Sequence, residues 1–118
     1  MGGADAAEAL LSRAHSPSAI VAMSDYLALG VVRAAREHRL NVPNDLSVVG
    51  FDDIELASLV TPALTTVQQP FRGIDRLGID VLYRLLKGQP LNANRVELST
   101  RLVLRDSTAP PRGTSFLT

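Results

Sequence analysis

Residues 19–53 read AIVAMSDYLALGVVRAAREHRLNVPNDLSVVGFDD, and their punctuation decides the fold. Ala19 to Met23 is an apolar run too short for a helix, and its unbroken apolarity predicts a parallel strand covered on both faces. Ser24 and Asp25 follow at once, supplying an N-cap hydroxyl and a first-turn negative charge. The spacing then predicts a helix over about Tyr26 to His38. Leu27, Val31, Ala34 and Ala35 fall on one side, and Arg33, Arg36 and Arg39 gather near the end, where cations suit the dipole. Asn41 and Pro43 close it. Leu46 to Phe51 is a second apolar strand that runs straight into Asp52-Asp53. Strand, helix and strand make a βαβ unit, which implies parallel pairing and a right-handed crossover.

Upstream, Ala7, Leu10, Leu11 and Ala14 have helical spacing, and Ser16-Pro17 ends that helix. Gly2-Gly3 follows no strand and reads as an N-terminal feature, not a phosphate loop. Downstream comes a short turn-like or helical piece, Ile54 to Leu59, then Pro62 and a brief strand from Leu64 to Gln68. Ile74, Leu77, Gly78, Val81, Leu82, Leu85 and Leu86 form the stripe of a helix that enters at Pro70 and stops at Gly88 and Pro90. Val96, Leu98, Thr100, Leu102 and Leu104 alternate with mostly polar residues, predicting a strand with one wet face between Arg95 and Arg105. From Ala109 the chain reads as a loose tail. The whole pattern is α/β.

Composition narrows the functions. The 118 residues are 46% hydrophobic, enough for one domain that hides roughly two-thirds of its unfolded surface. Twelve Lys+Arg balance twelve Asp+Glu, whereas a module that grips nucleic acid carries a basic excess. Without cysteine there is no disulfide, thiolate nucleophile or thiolate-bound metal. No export signal and no run of roughly twenty apolar residues is present, so the chain reads as soluble and cytoplasmic.

In open parallel sheets, ligands gather beyond the carboxyl ends of the strands. Those segments are Ser24-Asp25-Tyr26, Asp52-Asp53 and Gln68-Gln69. Their carboxylates, amides, hydroxyl and ring can hydrogen-bond a polyol and stack on its apolar face. Each has a plainer reading beside this one: helix capping for Ser24 and Asp25, turn formation for Asp53, a packing ring for Tyr26, a structural amide for Gln69. An enzyme reading would use Asp25, Asp52 and Asp53 as metal ligands or an acid/base pair. It lacks support, because His15 and His38 fall away from the strand ends and no nucleophile elbow is present.

The same residues carry a resemblance. A strand ending in Ser24-Asp25, the Ala28-Leu29-Gly30 helix, VPNDLSVVGFDD at 42–53, TPALTTVQQP at 61–70 and a closing strand before Ser107-Thr108-Ala109-Pro110 resemble the C-terminal effector-binding region of LacI/GalR bacterial transcriptional regulators. The similarity runs from about Gly3 to Pro110. It implies an incomplete periplasmic-binding-protein-like fold, with a parallel-sheet Rossmann-like lobe. Residues 1–69 would be part of the C-terminal lobe, 70–90 a helix packing towards an N-terminal lobe missing from this chain, 91–108 a returning strand and 109–118 a tail. The family's ligand contacts carry over to Ser24, where asparagine is commoner, to Asp52 and to Gln69, with Asp25 and Tyr26 adjacent. Its dimer face carries over to Leu29, Leu59 and Val60.

The resemblance thus implies effector sensing and dimerisation within a regulator, with a sugar or related polyol as ligand and no catalysis, cofactor or metal. DNA would be reached only through a head domain outside this chain. The alternative is a self-association module that binds no ligand. An incomplete sheet would also leave an apolar edge open to pairing.

Overall fold

The computed structural model describes residues 2–91 and 95–112. Residues 92–94 of the expected returning strand and 113–118 of the expected tail lie outside the described residues. The chain divides into two compact units, one running to Gln68 and resuming at Leu102, the other spanning Gln69–Arg101.

The first unit holds α1 (Gly2–Leu11), β1 (Ala19–Val21), α2 (Asp25–Glu37), β2 (Ser47–Asp52), α3 (Glu55–Leu59), β3 (Thr65–Gln68) and, from Leu102 onward, β4 (Arg101–Val103). The sheet order is β1-β2-β3-β4. β1 runs parallel to β2 with Ile20 opposite Val48, and β2 runs parallel to β3 with Gly50 opposite Thr66. The α/β fold read from the sequence is the fold observed. Its core is built from Val48 and Leu64 of the sheet region, Leu46 before β2, Ala28, Val31, Ala34 and Ala35 of α2, Ala7 and Leu11 of α1, and Ala57 of α3. Ala28 replaces Leu27 in the expected stripe of α2, since Leu27 is 38% exposed.

Further expectations about this unit change. β1 is not covered on both faces: it lies at the sheet edge, Ile20 packs on the core, and Val21 is 76% exposed. Alternate residues of a strand point to opposite faces, so an all-apolar run of this length cannot distinguish a sandwiched strand from an edge strand with one open face. The C-terminal segment is also tied down further than expected. Ser107 is fully buried; its hydroxyl accepts from the Thr65 amide at 2.8 Å and donates to the Val48 carbonyl at 2.6 Å. Ala109, where the tail was expected to begin, bonds the Ser47 hydroxyl through both its amide and its carbonyl at 3.0 Å. Arg112 then pairs with Asp45. These polar side chains close the ends of two strands that would otherwise lack partners.

The second unit contains α4 (Phe71–Leu86), which spans the residues read from its apolar stripe. Ile74, Leu77, Gly78 and Val81 line a hollow of about 460 Å³ together with Val96, Leu98 and Thr100. The strand expected over 96–105 is therefore only partly formed: of it, Arg101–Val103 alone is strand. Val96, Leu98 and Thr100 keep their period of two, but they line the flank of a helix and join no ladder. Alternation sorts faces; it does not supply a neighbouring strand.

Gly3 is not an incidental terminal residue. It lies within α1, where a Cβ would sit 2.3 Å from the Leu27 carbonyl oxygen, and a Cβ on Gly30 would sit 2.8 Å from the Ala4 nitrogen. The two helices thus cross backbone to backbone at reciprocal glycines. His38 and Glu8 add a 2.6 Å contact between the same helices, and the hydrogen bond from His38 holds the Glu8 carboxyl below its ordinary value. Gly3→Ala and Gly30→Ala should each lower stability by about 1–3 kcal/mol, read as a lower urea midpoint. Gly78→Ala, with nothing within 4 Å, should be neutral or gain up to about 1 kcal/mol.

Candidate functional site at the strand ends

The carboxyl ends of β1 and β2 lie side by side because the strands are parallel and in register from Ala19 with Ser47 to Val21 with Val49. Ser24 and Asp52 each lie three positions past the last β1–β2 pair, Val21 with Val49, so the chain brings the Ser24-Asp25-Tyr26 and Asp52-Asp53 segments to one end of the sheet. Within that pair of segments the side chains have divided roles.

Ser24 is the N-cap of α2: its backbone is extended, and its hydroxyl accepts from the Leu27 amide at 3.2 Å. It is half-buried, and a hydroxyl that accepts one bond keeps its own donor and a second lone pair. Tyr26 is not a packing ring; it is 66% exposed, as is much of neighbouring Met23 at 87%.

Asp25 is fully buried. Its Oδ1 accepts from the Thr66 hydroxyl at 2.5 Å and its Oδ2 from the Ile54 amide at 2.8 Å. The charge also lies in the first turn of α2, where the helix dipole favours it. Room for this carboxylate exists only because residue 50 is glycine: a Cβ there would stand 2.2 Å from Asp25 Oδ1. A glycine in the middle of an apolar strand was the sequence signal for such a close approach.

Asp52 and Asp53 have φ of 116° and 57°, successive positive values that cost of order 1–3 kcal/mol each for residues with a Cβ. Asp53 is held by a 2.7 Å ion pair from Arg105 and a 2.8 Å hydrogen bond from the Gln68 side chain. Arg105 sends its other guanidinium arm to the Leu64 carbonyl at 2.9 Å, while its amide donates to the Thr65 hydroxyl at 3.0 Å. Nothing in the spacing of the sequence joined residues 53 and 105. The sequence offered only an arginine at the end of an alternating run.

Gln69 begins the second unit and lines the hollow along α4 with Pro70 and Leu98. Leu29 and Val60 come together in the first unit, lining a hollow of about 230 Å³ with Val32, Arg33, Arg36 and Pro62, and Leu59 beside them in sequence is 67% exposed. Among the described residues no group of three or more histidine, cysteine, aspartate or glutamate side chains is placed to hold a metal ion.

Replacing Asp25 should test the core of this arrangement. Asp25→Ala leaves the Ile54 amide and Thr66 hydroxyl without acceptors, at about 1–3 kcal/mol for each stranded donor. Asp25→Asn, which keeps one acceptor oxygen, should cost less, and urea unfolding followed by circular dichroism will rank the two.

Comparison with known proteins places the chain in a family. Residues 1–108 match the family of periplasmic binding protein-like domains. The ribose operon repressor of Escherichia coli strain K12 is 42% identical over 106 residues, which cover 90% of this chain and 32% of that protein. The lac repressor dimer bound to operator and the anti-inducer ONPF superposes with a TM-score of 0.83 at 38% identity, covering 92% of this chain and 37% of that one. A complex of the transcriptional regulator CelR with cellobiose has a TM-score of 0.83 at 34% identity, with coverages of 89% and 32%. The chain spans about a third of the length of the curated relatives it matches. Taken with the parallel sheet and the Ser24 and Asp52 strand ends, these matches mean that the chain belongs to the periplasmic binding protein-like domain family, in the form carried by LacI/GalR-type repressors.

Proposed function

We infer that this chain is the effector-sensing and dimerisation region of a LacI/GalR-type transcriptional regulator working in the cytoplasm. The observation that carries the reading is the juxtaposition of the half-buried Ser24 cap and Asp52 at the carboxyl ends of two parallel strands, in a chain whose relatives include a ribose operon repressor and a cellobiose-bound regulator. The ligand is a sugar or related polyol. The Asp52 carboxylate accepts from its hydroxyls, Ser24 adds a donor and an acceptor, and the exposed Tyr26 ring stacks on an apolar sugar face. Asp25 has a supporting role in this reading, since both of its oxygens serve the protein.

Effector binding would favour one arrangement of the regulator over another, and linkage would pass that preference to a DNA-binding head. Leu29, Leu59 and Val60 form the dimer face, and the exposed Leu59 beside the Leu29/Val60 hollow supports it. The same observation favours a second reading, a self-association module that binds no sugar.

Titration with D-ribose and with cellobiose, followed by the amide resonances of the chain, tests the sugar site. Shifts should appear at Ser24, Tyr26 and Asp52, and Asp52→Asn should weaken binding about tenfold, the loss of one charged acceptor. Amides unmoved by either sugar at millimolar concentration, in a chain that is dimeric by light scattering, would favour the second reading. Leu59→Glu should convert that dimer to monomer; an unchanged molar mass would remove Leu59 from the interface.

A further inference from the structure

We propose that Arg105 is a positioning residue for the effector site: through its ion pair with Asp53 it holds Asp52 in the left-handed backbone conformation from which Asp52 meets the ligand. The proposal rests on the reading of Asp52 as a ligand contact.

Asp52 is the last residue of β2, paired with Gln68, and its φ of 116° is followed by 57° at Asp53. Side chains other than glycine rarely adopt such values, and two in succession persist only when their surroundings fix them. Three anchors do so here. Upstream, the ladder fixes Phe51 opposite Val67 and Asp52 opposite Gln68. Downstream, the Ile54 amide is held at 2.8 Å by buried Asp25. Between them the Asp53 carboxylate takes Arg105 on Oδ1 at 2.7 Å and the Gln68 amide on Oδ2 at 2.8 Å, while the Asp53 amide approaches the Thr66 hydroxyl at 3.4 Å.

Arg105 is not a loose surface charge at this turn. Its side chain is 19% exposed and that of Asp53 12%. Its second arm is fixed on the Leu64 carbonyl, and its backbone on Thr65. A charge held in two places can fix a third, which a solvated lysine could not do. The segment that carries Arg105 is itself stitched to β2 and β3 by buried Ser107. Residue 105, far along the chain, thereby fixes a turn that Asp52 occupies.

The test compares wild type, Arg105→Ala, Arg105→Lys and Leu11→Ala, the last weakening the core at α1 away from the turn. The first readout needs no ligand: the three-bond HN–Hα coupling of Asp52, small at this φ and large for an extended residue. It should stay small in wild type and in Leu11→Ala, rise at least twofold in Arg105→Ala, and fall back part of the way in Arg105→Lys. Should Arg105→Ala not fold, Arg105→Gln, which retains a donor but loses the charge, is read in the same way. A folded Arg105→Ala or Arg105→Gln variant with the wild-type coupling would overturn the proposal. The second readout is affinity for D-ribose or cellobiose at equal fraction folded: Arg105→Ala should lose about as much as Asp52→Asn, tenfold or more, and Leu11→Ala should lose none. If Asp52→Asn binds as wild type does, the ligand reading fails while the coupling still decides whether Arg105 sets the turn.

Discussion

The buried carboxylate of Asp25 joins three parts of the chain that meet nowhere in sequence. It begins α2, accepts the Thr66 hydroxyl from β3 and the Ile54 amide from the loop after β2, and sits against the bare backbone of Gly50. An ionised carboxylate out of water is costly unless its lone pairs are met. Here two donors and the positive end of a helix meet them. Once Asp25 is satisfied, the start of α2 and the exit of β2 are fixed with respect to β3, and the relative positions of Ser24 and Asp52 follow.

The C-terminal segment provides a second set of polar constraints. Ser107 bonds the Val48 carbonyl and the Thr65 amide, Ala109 bonds Ser47, and Arg105 reaches Asp53 and Leu64. These bonds satisfy backbone groups at strand ends, where an unpaired amide or carbonyl would cost free energy if buried. Ser107 there replaces missing ladder partners, bonding the Thr65 amide and the Val48 carbonyl.

The second unit is built differently. No residue of α4 is buried, although its stripe contains Ile74, Leu77, Val81 and Leu85, and the apolar side of 96–100 lines a hollow along it. A helix of that composition is stabilised chiefly by burying its apolar face, because propensity alone leaves an isolated helix of this length marginal. The first unit, with its core of alanines, valines and leucines from three helices and the sheet, has no such deficit.

Periodicity and punctuation in residues 19–53 determined the βαβ unit, its parallel sense, the Ser24 cap and the strand end at Asp52, because spacing and capping are local properties of the chain. The stripe of α4 was legible for the same reason, as were the motifs that carry the family resemblance. Local pattern could not tell that β1 is an edge strand, since apolar composition is the same whether one face is covered or two. It could not show that Gly3 meets Leu27 and Gly30 meets Ala4, that 96–100 finds no ladder, or that Asp25 turns inward while Tyr26 stays out. The link between Asp53 and Arg105 was beyond it altogether. Those outcomes depend on which distant segment arrives within a few ångströms, and only the closed tertiary structure decides that.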